Sequence, residues 1–206
     1  MSDTWRELWE SCVQSGKDFS SVSGIILDMA MDSLKNRQEG GFSIELAKPG
    51  DWEDFKKIRL ESIENEPMAF WVTKDTKEKE YGKSEEDWKK ELTGHDIFVV
   101  LVKGNNIPVG TAQAILKTKD GDRWGVKGVY LDKDFRGSGS GEKMMILVLG
   151  EIKKRGGKKV YLNVVNTQDV AKKIYEKLGF KIYKKFESEI IDGIEYPGGQ
   201  WMEKEI

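Results

Sequence analysis

Residues 131–143 read LDKDFRGSGSGEK, in which three glycines alternate with serines directly after Arg136. Apolar runs flank this stretch: WGVKGVYL before it predicts a strand, and EKMMILVLGEIKKRG after it predicts a helix. The start of a helix leaves backbone N–H groups unpaired and carries a partial positive charge. Glycines let the main chain approach a ligand without Cβ atoms in the way. The stretch therefore predicts a phosphate-binding loop between a strand and a helix.

The spacing of the glycines separates three kinds of phosphate loop. The Walker pattern ends in Gly-Lys-Ser/Thr, whereas this loop ends Gly141-Glu142-Lys143-Met144. The dinucleotide pattern Gly-x-Gly-x-x-Gly fails as well. The third kind of loop has the spacing Arg-x-x-Gly-x-Gly, and the sequence has this spacing at Arg136, Gly139 and Gly141. A nucleotide-binding domain of either common type is therefore disfavoured.

Composition limits the partners that such a loop can serve. The chain has 206 residues, 38% hydrophobic and 34% charged, which suits one compact domain with a small appendage. Its net charge of −2 attracts neither nucleic acid nor an anionic membrane. One cysteine and one histidine exclude an internal disulfide and a zinc site of the usual kind. We expect no metal, no nucleic acid and no membrane partner. The sequence shows neither a basic leader nor an apolar run of about 20 residues, and we expect a cytoplasmic protein.

The first forty residues form a separate pattern. Two sets of apolar residues recur at helical spacing around Ser15-Gly16, and Glu39-Gly40-Gly41 follows as a hinge. We predict a helical hairpin over residues 1–40, ahead of a domain over 41–206. Its polar face is acidic, which disfavours a membrane-surface helix. Its apolar stripes are expected to cover the same chain or a second copy in a homodimer. Each set is given in chain order: Trp5, Leu8, Trp9, Cys12 and Val13, then Phe19, Val22, Ile25, Ile26, Met29 and Leu34.

From Phe42 onward the apolar period alternates between two and 3.6 residues, which indicates a mixed α/β domain. Helices are predicted over 49–64, 84–92, 142–156 and 169–180, and Ser84 with Asp87 forms a capping-box pattern. Strands are predicted over 42–47, 96–103, 107–118, 124–131 and 158–165, with 181–190 pairing with 200–206. Turns are expected at Gly104-Asn105-Asn106 and Asp120-Gly121. The charged run TKEKEYGKSEED is expected to be a solvated face.

Several motifs, taken together and in this order, resemble the GNAT superfamily of acetyl-CoA-dependent N-acetyltransferases. GVYLDKDFRGSGSG resembles the family's strand, loop and helix for the CoA pyrophosphate, and YLNVVNTQDVAKKIYEKLGF resembles the strand and helix that follow. ENEPMAFWVT with EEDWKKEL, and the final IDGIEYPGGQWMEKEI, are similar to one bacterial and archaeal branch. The resemblance runs from about Phe42 to the C-terminus and omits the N-terminal segment.

This resemblance implies a fold and a cofactor site. The fold is α/β (α+β): a mixed, mostly antiparallel sheet with a V-shaped splay between two parallel strands and helices on both faces. Pantetheine lies in the splay against the backbone of the first strand, and the glycine loop holds the pyrophosphate. The implied acetyl-CoA-binding residues are Val129, Tyr130, Leu131, Arg136, Gly137, Ser138, Gly139, Ser140, Gly141, Glu142, Asn166, Gln168 and Ala171.

The resemblance also implies how an amine is acetylated. Tyr175 matches the family's tyrosine that protonates the departing thiolate, although its helical stripe with Ala171 and Leu178 also suits a core residue. Phe70 and Trp71 either anchor the core or line the acceptor pocket. Gln168 stands where the family often has asparagine, and its longer amide can still bind pantetheine. Residues 124–127 lack the glutamate that many members use as a base, and His95 fits a surface loop, so the base stays unassigned.

These observations favour an N-acetyltransferase that acts on a small-molecule, peptide or protein amine by direct attack in a ternary complex. The missing base and the extra N-terminal segment favour an alternative, a protein that binds acetyl-CoA as a sensor with weak or no turnover. The residues leave the acceptor amine open.

Overall fold

The computed structural model describes residues 42–117 and 123–206. Within these ranges a seven-stranded sheet has the order β1-β2-β3-β4-β5-β9-β6, and β7 and β8 form a separate hairpin. All neighbouring strands are antiparallel except β4 and β5. The strands are β1 (Phe42–Leu46), β2 (Ile97–Gly104), β3 (Ile107–Lys117), β4 (Arg123–Leu131), β5 (Lys159–Val165), β6 (Lys181–Phe186), β7 (Glu189–Ile191), β8 (Ile194–Tyr196) and β9 (Gly199–Glu205).

Five α-helices lie in the described part of the chain: α1 (Trp52–Asn65), α2 (Lys74–Tyr81), α3 (Glu85–Thr93), α4 (Ser140–Lys154) and α5 (Asp169–Lys177). These helices cover both faces of the sheet. Alternate residues of β2 and β3 point to opposite sides, and the apolar residues on each side are covered by helices. On one face Phe55 and Ile58 of α1 and Trp88 of α3 pack on Val99 and Leu101. On the other face the apolar residues of α4 and α5 pack on the remaining strand residues, including Val100, Val102, Ala112 and Ala114.

The parallel pair β4 and β5 separates soon after it begins. Its ladder joins Trp124 to Val160 and Gly125 to Tyr161, and β4 then runs on to Leu131. Opposite β3 the register of β4 shifts by one residue between Lys127 and Tyr130, which is a β-bulge. Gly128 supplies the bulge with a φ of +61°, a left-handed conformation that glycine adopts without strain. Since a bulge bends its strand, this one directs β4 away from β5 and opens the predicted V-shaped splay.

Most predicted elements are confirmed. Asn105 and Asn106 both have positive φ and form a two-residue hairpin turn, and Ser84 and Asp87 complete the predicted capping box. Gly179, at +85°, ends α5 as expected. Helix α2 was missed, because it lies in the charged run and buries no residue. The predicted hairpin over residues 1–40 and the turn at Asp120-Gly121 lie outside the described residues.

None of the helices in the described ranges is long and apolar enough to cross a membrane. No group of three or more histidine, cysteine, aspartate or glutamate side chains in those ranges has a metal-binding arrangement.

Candidate active site

A cavity of about 890 Å³ occupies the splay between β4 and β5. Its volume is in the range of pockets that hold a cofactor or drug-sized molecule, roughly 300–1,000 Å³. The wall combines the outer half of β4, the loop from β4 to α4, the start of α5, and side chains of α1 on the other face of the sheet. The cavity therefore passes through the sheet and connects its two faces.

The edge of β4 that faces the splay offers unpaired backbone groups. Asp132 donates its backbone N–H to the carbonyl of Val109 in β3 at 2.7 Å. The N–H of Tyr130, two residues earlier, therefore also points toward β3. Since backbone groups alternate along a strand, those of Val129 and Leu131 point into the splay. Beyond Gly125 β5 no longer pairs with this edge. An extended chain with amide groups can therefore bind here as an additional strand.

The glycine-rich loop lies where β4 leads into α4. Gly137 and Gly139 have φ values of +79° and +80°, and Gly139 is the N-cap of α4. A Cβ built on either glycine would meet no atom within 4 Å, so open space lies before the loop. The first N–H groups of α4 precede any intrahelical acceptor, and Lys143 is the first to bond back, to Gly139. This geometry fits an anion such as a phosphate.

A carboxylate already lies next to the arginine of this loop. Arg136 donates to Glu66 at 2.8 Å and, through Nε, to the carbonyl of Leu131 at 2.9 Å. Gln168, in the loop that leads from β5 into α5, donates to the other oxygen of Glu66 at 3.4 Å. Glu66 follows α1 directly, and its carboxylate therefore links the loops that leave β4 and β5. Sequence reasoning missed Glu66, because nothing in its local pattern marks it.

Tyr175 lies on α5 with only 5% of its surface exposed, and it lines the cavity. Its ring packs against Phe180, with the centroids 5.9 Å apart. Burial raises the pKa of Tyr175 above its ordinary value, so the phenol is protonated at neutral pH. No group in residues 42–117 or 123–206 forms a hydrogen bond with its hydroxyl. Tyr175 is therefore a packed core residue that also lines the cavity, and its role as a proton donor stays a prediction.

A charged cluster borders the cavity on the α1 face. We name it the α1-face cluster: Arg59, Glu80, Lys83, Glu91 and Lys127. Glu80 accepts from Arg59 at 3.1 Å and from Lys83 at 2.7 Å, and Lys83 also pairs with Glu91 at 2.6 Å. Glu91 in turn accepts from the side chain of Gln113, opposite Lys127 in the sheet, at 2.6 Å.

Arg59 and Lys127 are the members of this cluster that line the cavity. Lys127 is exposed, but the protein around its ammonium group partly desolvates it, and this lowers the pKa of Lys127 below its ordinary value. Glu91 opposes the shift, while Arg59 and Lys83 add to it. Neither Lys127 nor Arg59 was identified from the sequence as a site residue.

Phe70 and Trp71 form part of the cavity wall after α1. Phe70 lies 5.5 Å from the guanidinium of Arg59, measured to the ring centroid. Trp71 donates its ring N–H to the carbonyl of Pro197 at 3.1 Å and packs against Tyr196 at 5.6 Å. Its φ of +48° is unusual for a bulky residue, and such strain is found at functional sites. Both residues therefore line the cavity and anchor its wall, and their role in an acceptor pocket stays a prediction.

The structure gathers most of the sequence-predicted site residues around this one cavity. Three do not line it: Ser138 and Ser140, whose hydroxyls are 2.6 Å apart, and Asn166, whose backbone bonds to Gly198 and Lys172. His95 is 86% exposed and pairs with Asp96 away from the cavity. The remaining predicted residues line the wall: Phe70, Trp71, Val129, Tyr130, Leu131, Arg136, Gly137, Gly139, Gly141, Glu142, Gln168, Ala171 and Tyr175.

Comparison with known proteins adds independent evidence. The profile described as "Acetyltransferase (GNAT) family" matches residues 57–180. No curated protein matches the sequence. Among solved structures, a GNAT-family acetyltransferase from Streptococcus pneumoniae is similar, with a TM-score of 0.67, 17% identity, and coverage of 80% of this chain and 99% of the other.

Two further structures are similar at comparable coverage. The ribosomal-protein-S18-alanine N-acetyltransferase from Escherichia coli has a TM-score of 0.58 at 18% identity, covering 80% of this chain and 94% of its own. The PaiA N-acetyltransferase from Thermoplasma acidophilum, solved with coenzyme A, has a TM-score of 0.57 at 17% identity, covering 80% and 99%. At these identities the structural likeness establishes the fold.

Proposed function

This chain belongs to the acetyltransferase (GNAT) family, and on that premise we propose that it transfers the acetyl group of acetyl-CoA to a primary amine of a small molecule or peptide. The observation that carries the proposal is the cavity through the splay, with a glycine-rich loop at a helix N-terminus at one end and a buried tyrosine in its wall. In the transfer a C–N bond forms and the C–S bond of the thioester breaks. The amine nitrogen loses one proton and the departing thiolate gains one, which gives an amide and the CoA thiol.

The residues of this chain fit the cofactor. The open space before Gly137 and Gly139 accepts a pyrophosphate, and the start of α4 with Arg136 supplies positive charge. The backbone of Val129 and Leu131 can hold pantetheine amides along the edge of β4. Ala171 and Gln168 lie at the start of α5, on the opposite side of the cavity. Acetyl-CoA itself supplies an acyl group activated as a thioester.

Tyr175 is proposed as the general acid. A thiolate has an ordinary pKa near 8.5, so a protonated phenol can donate to it at neutral pH. Because burial raises the pKa of Tyr175, the donor form is maintained over the whole neutral range. The absence of a competing hydrogen bond within the described ranges leaves the proton available.

The acceptor amine is proposed to enter from the α1 face. There the wall contains Phe70 and Trp71 together with Arg59 and Lys127 of the α1-face cluster. An alkylamine has a pKa near 10 and must lose a proton before it attacks. Residues 124–127 contain no carboxylate, so we propose that a water molecule in the cavity relays this proton to the surrounding solvent.

The proposal is tested by thiol release from acetyl-CoA in the presence of amines. The panel contains polyamines, free amino acids and short peptides, and mass spectrometry identifies the product. We expect an N-acetylated amine and one CoA thiol per product. Binding of acetyl-CoA by calorimetry without turnover on any amine would instead support the acetyl-CoA sensor. Absence of acetyl-CoA binding would contradict both.

A further inference from the structure

The α1-face cluster has an excess of positive charge at the cavity. It contains three cations, Arg59, Lys83 and Lys127, and two carboxylates, Glu80 and Glu91. The carboxylates already pair with Arg59 and Lys83. Lys127 forms no ion pair with any residue in the described part of the chain, although it lies in the cavity. A cation that lines a cavity and has no ion-pair partner there can attract an anion that enters the cavity.

The guanidinium of Arg59 supports the same conclusion. Its Nη2 pairs with Glu80, but its Nη1 is buried and has no hydrogen-bond partner. This nitrogen lies 3.6 Å from the position that a Cβ atom would take if Gly128, the residue next to Lys127, had a side chain. A buried guanidinium nitrogen without a partner is costly, and an anion near Lys127 would offset its charge. Thr111, on the same face of the sheet, also has a buried hydroxyl without a partner.

We propose that the acceptor is an amine that also carries a carboxylate, and that Lys127 binds this carboxylate while the charge of Arg59 supports it. The inference rests on the proposed function and narrows its substrate class. An amine without an anion would bring a positive charge to a wall that already has an excess of it. With a carboxylate, the acceptor is neutral overall and its amine is directed away from Lys127, toward the splay. Free amino acids and peptides with an acidic residue near the N-terminus share this chemistry.

The experiment compares acceptors that differ only in the carboxylate. One arm uses a free amino acid against its carboxamide, and the other uses amidated peptides that begin with Asp against the same peptides beginning with Asn. We expect the carboxylate member of at least one arm to have a kcat/KM roughly tenfold higher or more, mainly through KM. The arm that shows the preference identifies the source of the carboxylate.

Variants of Lys127 assign the preference to this residue. Lys127→Gln should abolish it by raising KM for the carboxylate member, and Lys127→Glu should reverse it in favour of the carboxamide. Lys90→Gln is the matched control, because Lys90 lies on the outer surface of α3 with 77% exposure. It should leave the preference unchanged. Reversal by a single charge change is not expected of a residue with a merely structural role.

Several results would overturn the inference. The first is an equal kcat/KM for the carboxylate and the carboxamide member of each arm. The second is a Lys127→Gln variant that loses the same factor in kcat with both members and has an altered pH profile, because Lys127 would then act as a base. If no amine is acetylated, the proposed function fails separately. Calorimetry with the same pairs and bound CoA then decides: preferential binding of the carboxylate, lost in Lys127→Gln, supports the inference, and equal or absent binding contradicts it.

Discussion

The hydroxyl of Tyr175 can be removed with almost no change in packing. Tyr175→Phe keeps the ring against Phe180 and, within the described ranges, breaks no hydrogen bond. If the hydroxyl is the general acid, we expect kcat to fall by roughly 10² or more, because acid catalysis commonly supplies about 10² to 10⁴. Acetyl-CoA affinity and melting temperature should change little. Thiol release with saturating amine, normalised to folded protein, measures the effect.

Tyr183→Phe is the matched control for this substitution, since Tyr183 lies on β6 with 43% of its surface exposed. It should retain full turnover. If Tyr175→Phe also retains full turnover at every pH between about 6 and 9, Tyr175 is a core residue only and another group protonates the thiolate.

Glu66 forms an ion pair with Arg136, the residue of the glycine loop whose guanidinium would otherwise be available to a phosphate. Glu66→Gln keeps the shape of the side chain but removes the charge that neutralises Arg136. The pair is partly exposed, and such pairs contribute about 0–1 kcal/mol, so we expect CoA affinity to rise by roughly two- to fivefold. The gain should shrink at high salt. Calorimetry with CoA at two salt concentrations measures it.

Glu64→Gln serves as the control, because Glu64 lies two residues before Glu66, in the last turn of α1, and pairs with Lys77 outside the cavity wall. Its CoA affinity should equal that of the natural protein. A lower affinity in Glu66→Gln would mean that Glu66 orders the loops around the cofactor and does not compete with it.

The residues of the site differ in how far the sequence could predict them. The glycines and Tyr175 belong to local patterns whose spacing alone suggests a loop and a helix stripe. Glu66, Arg59 and Lys127 carry ordinary local patterns and come together only through tertiary contacts. Arg59, for example, meets Glu80 21 positions later in the sequence. One sequence without an alignment contains no signal for such a pair.

Helix α4 depends on a left-handed residue at its start. Gly139, the N-cap, has a φ of +80°, and a side chain there meets no protein atom but enters the space proposed for the pyrophosphate. Gly139→Val should therefore lower the melting temperature through backbone strain and weaken CoA binding about tenfold or more. Gly139→Asn should be more stable than the valine variant, since asparagine tolerates this conformation, yet it should bind CoA weakly as well.

Calorimetry and thermal melts on both variants separate strain from obstruction. Natural CoA affinity in Gly139→Asn would show that the conformation matters and that the space before the loop does not hold the phosphate. Unchanged affinity in both variants would place the phosphate elsewhere.

Among the secondary-structure elements, those with a regular apolar pattern were predictable from the sequence. Strand β2 has a run of buried residues and α1 has a repeating apolar stripe, and both match their predictions. Helix α2 has no buried residue, and its local support is Thr73, whose hydroxyl accepts from Thr76 at 3.2 Å. The splay was anticipated through the family resemblance, because the position of a bulge at Gly128 depends on pairing with β3 and is not apparent in the sequence of β4.

The described sheet, its helical layers and the named residues of the cavity wall all come from positions after 41. Deleting residues 1–40 should therefore leave a soluble protein whose CoA affinity stays within about twofold of the natural value. The deletion should nevertheless lower the melting temperature or change the oligomeric state, because the two predicted apolar stripes must cover some surface. Light scattering and thermal melts of both proteins test this. Loss of CoA binding would mean that the segment contributes to the cofactor site, whereas equal stability and equal stoichiometry would mean that its stripes cover nothing.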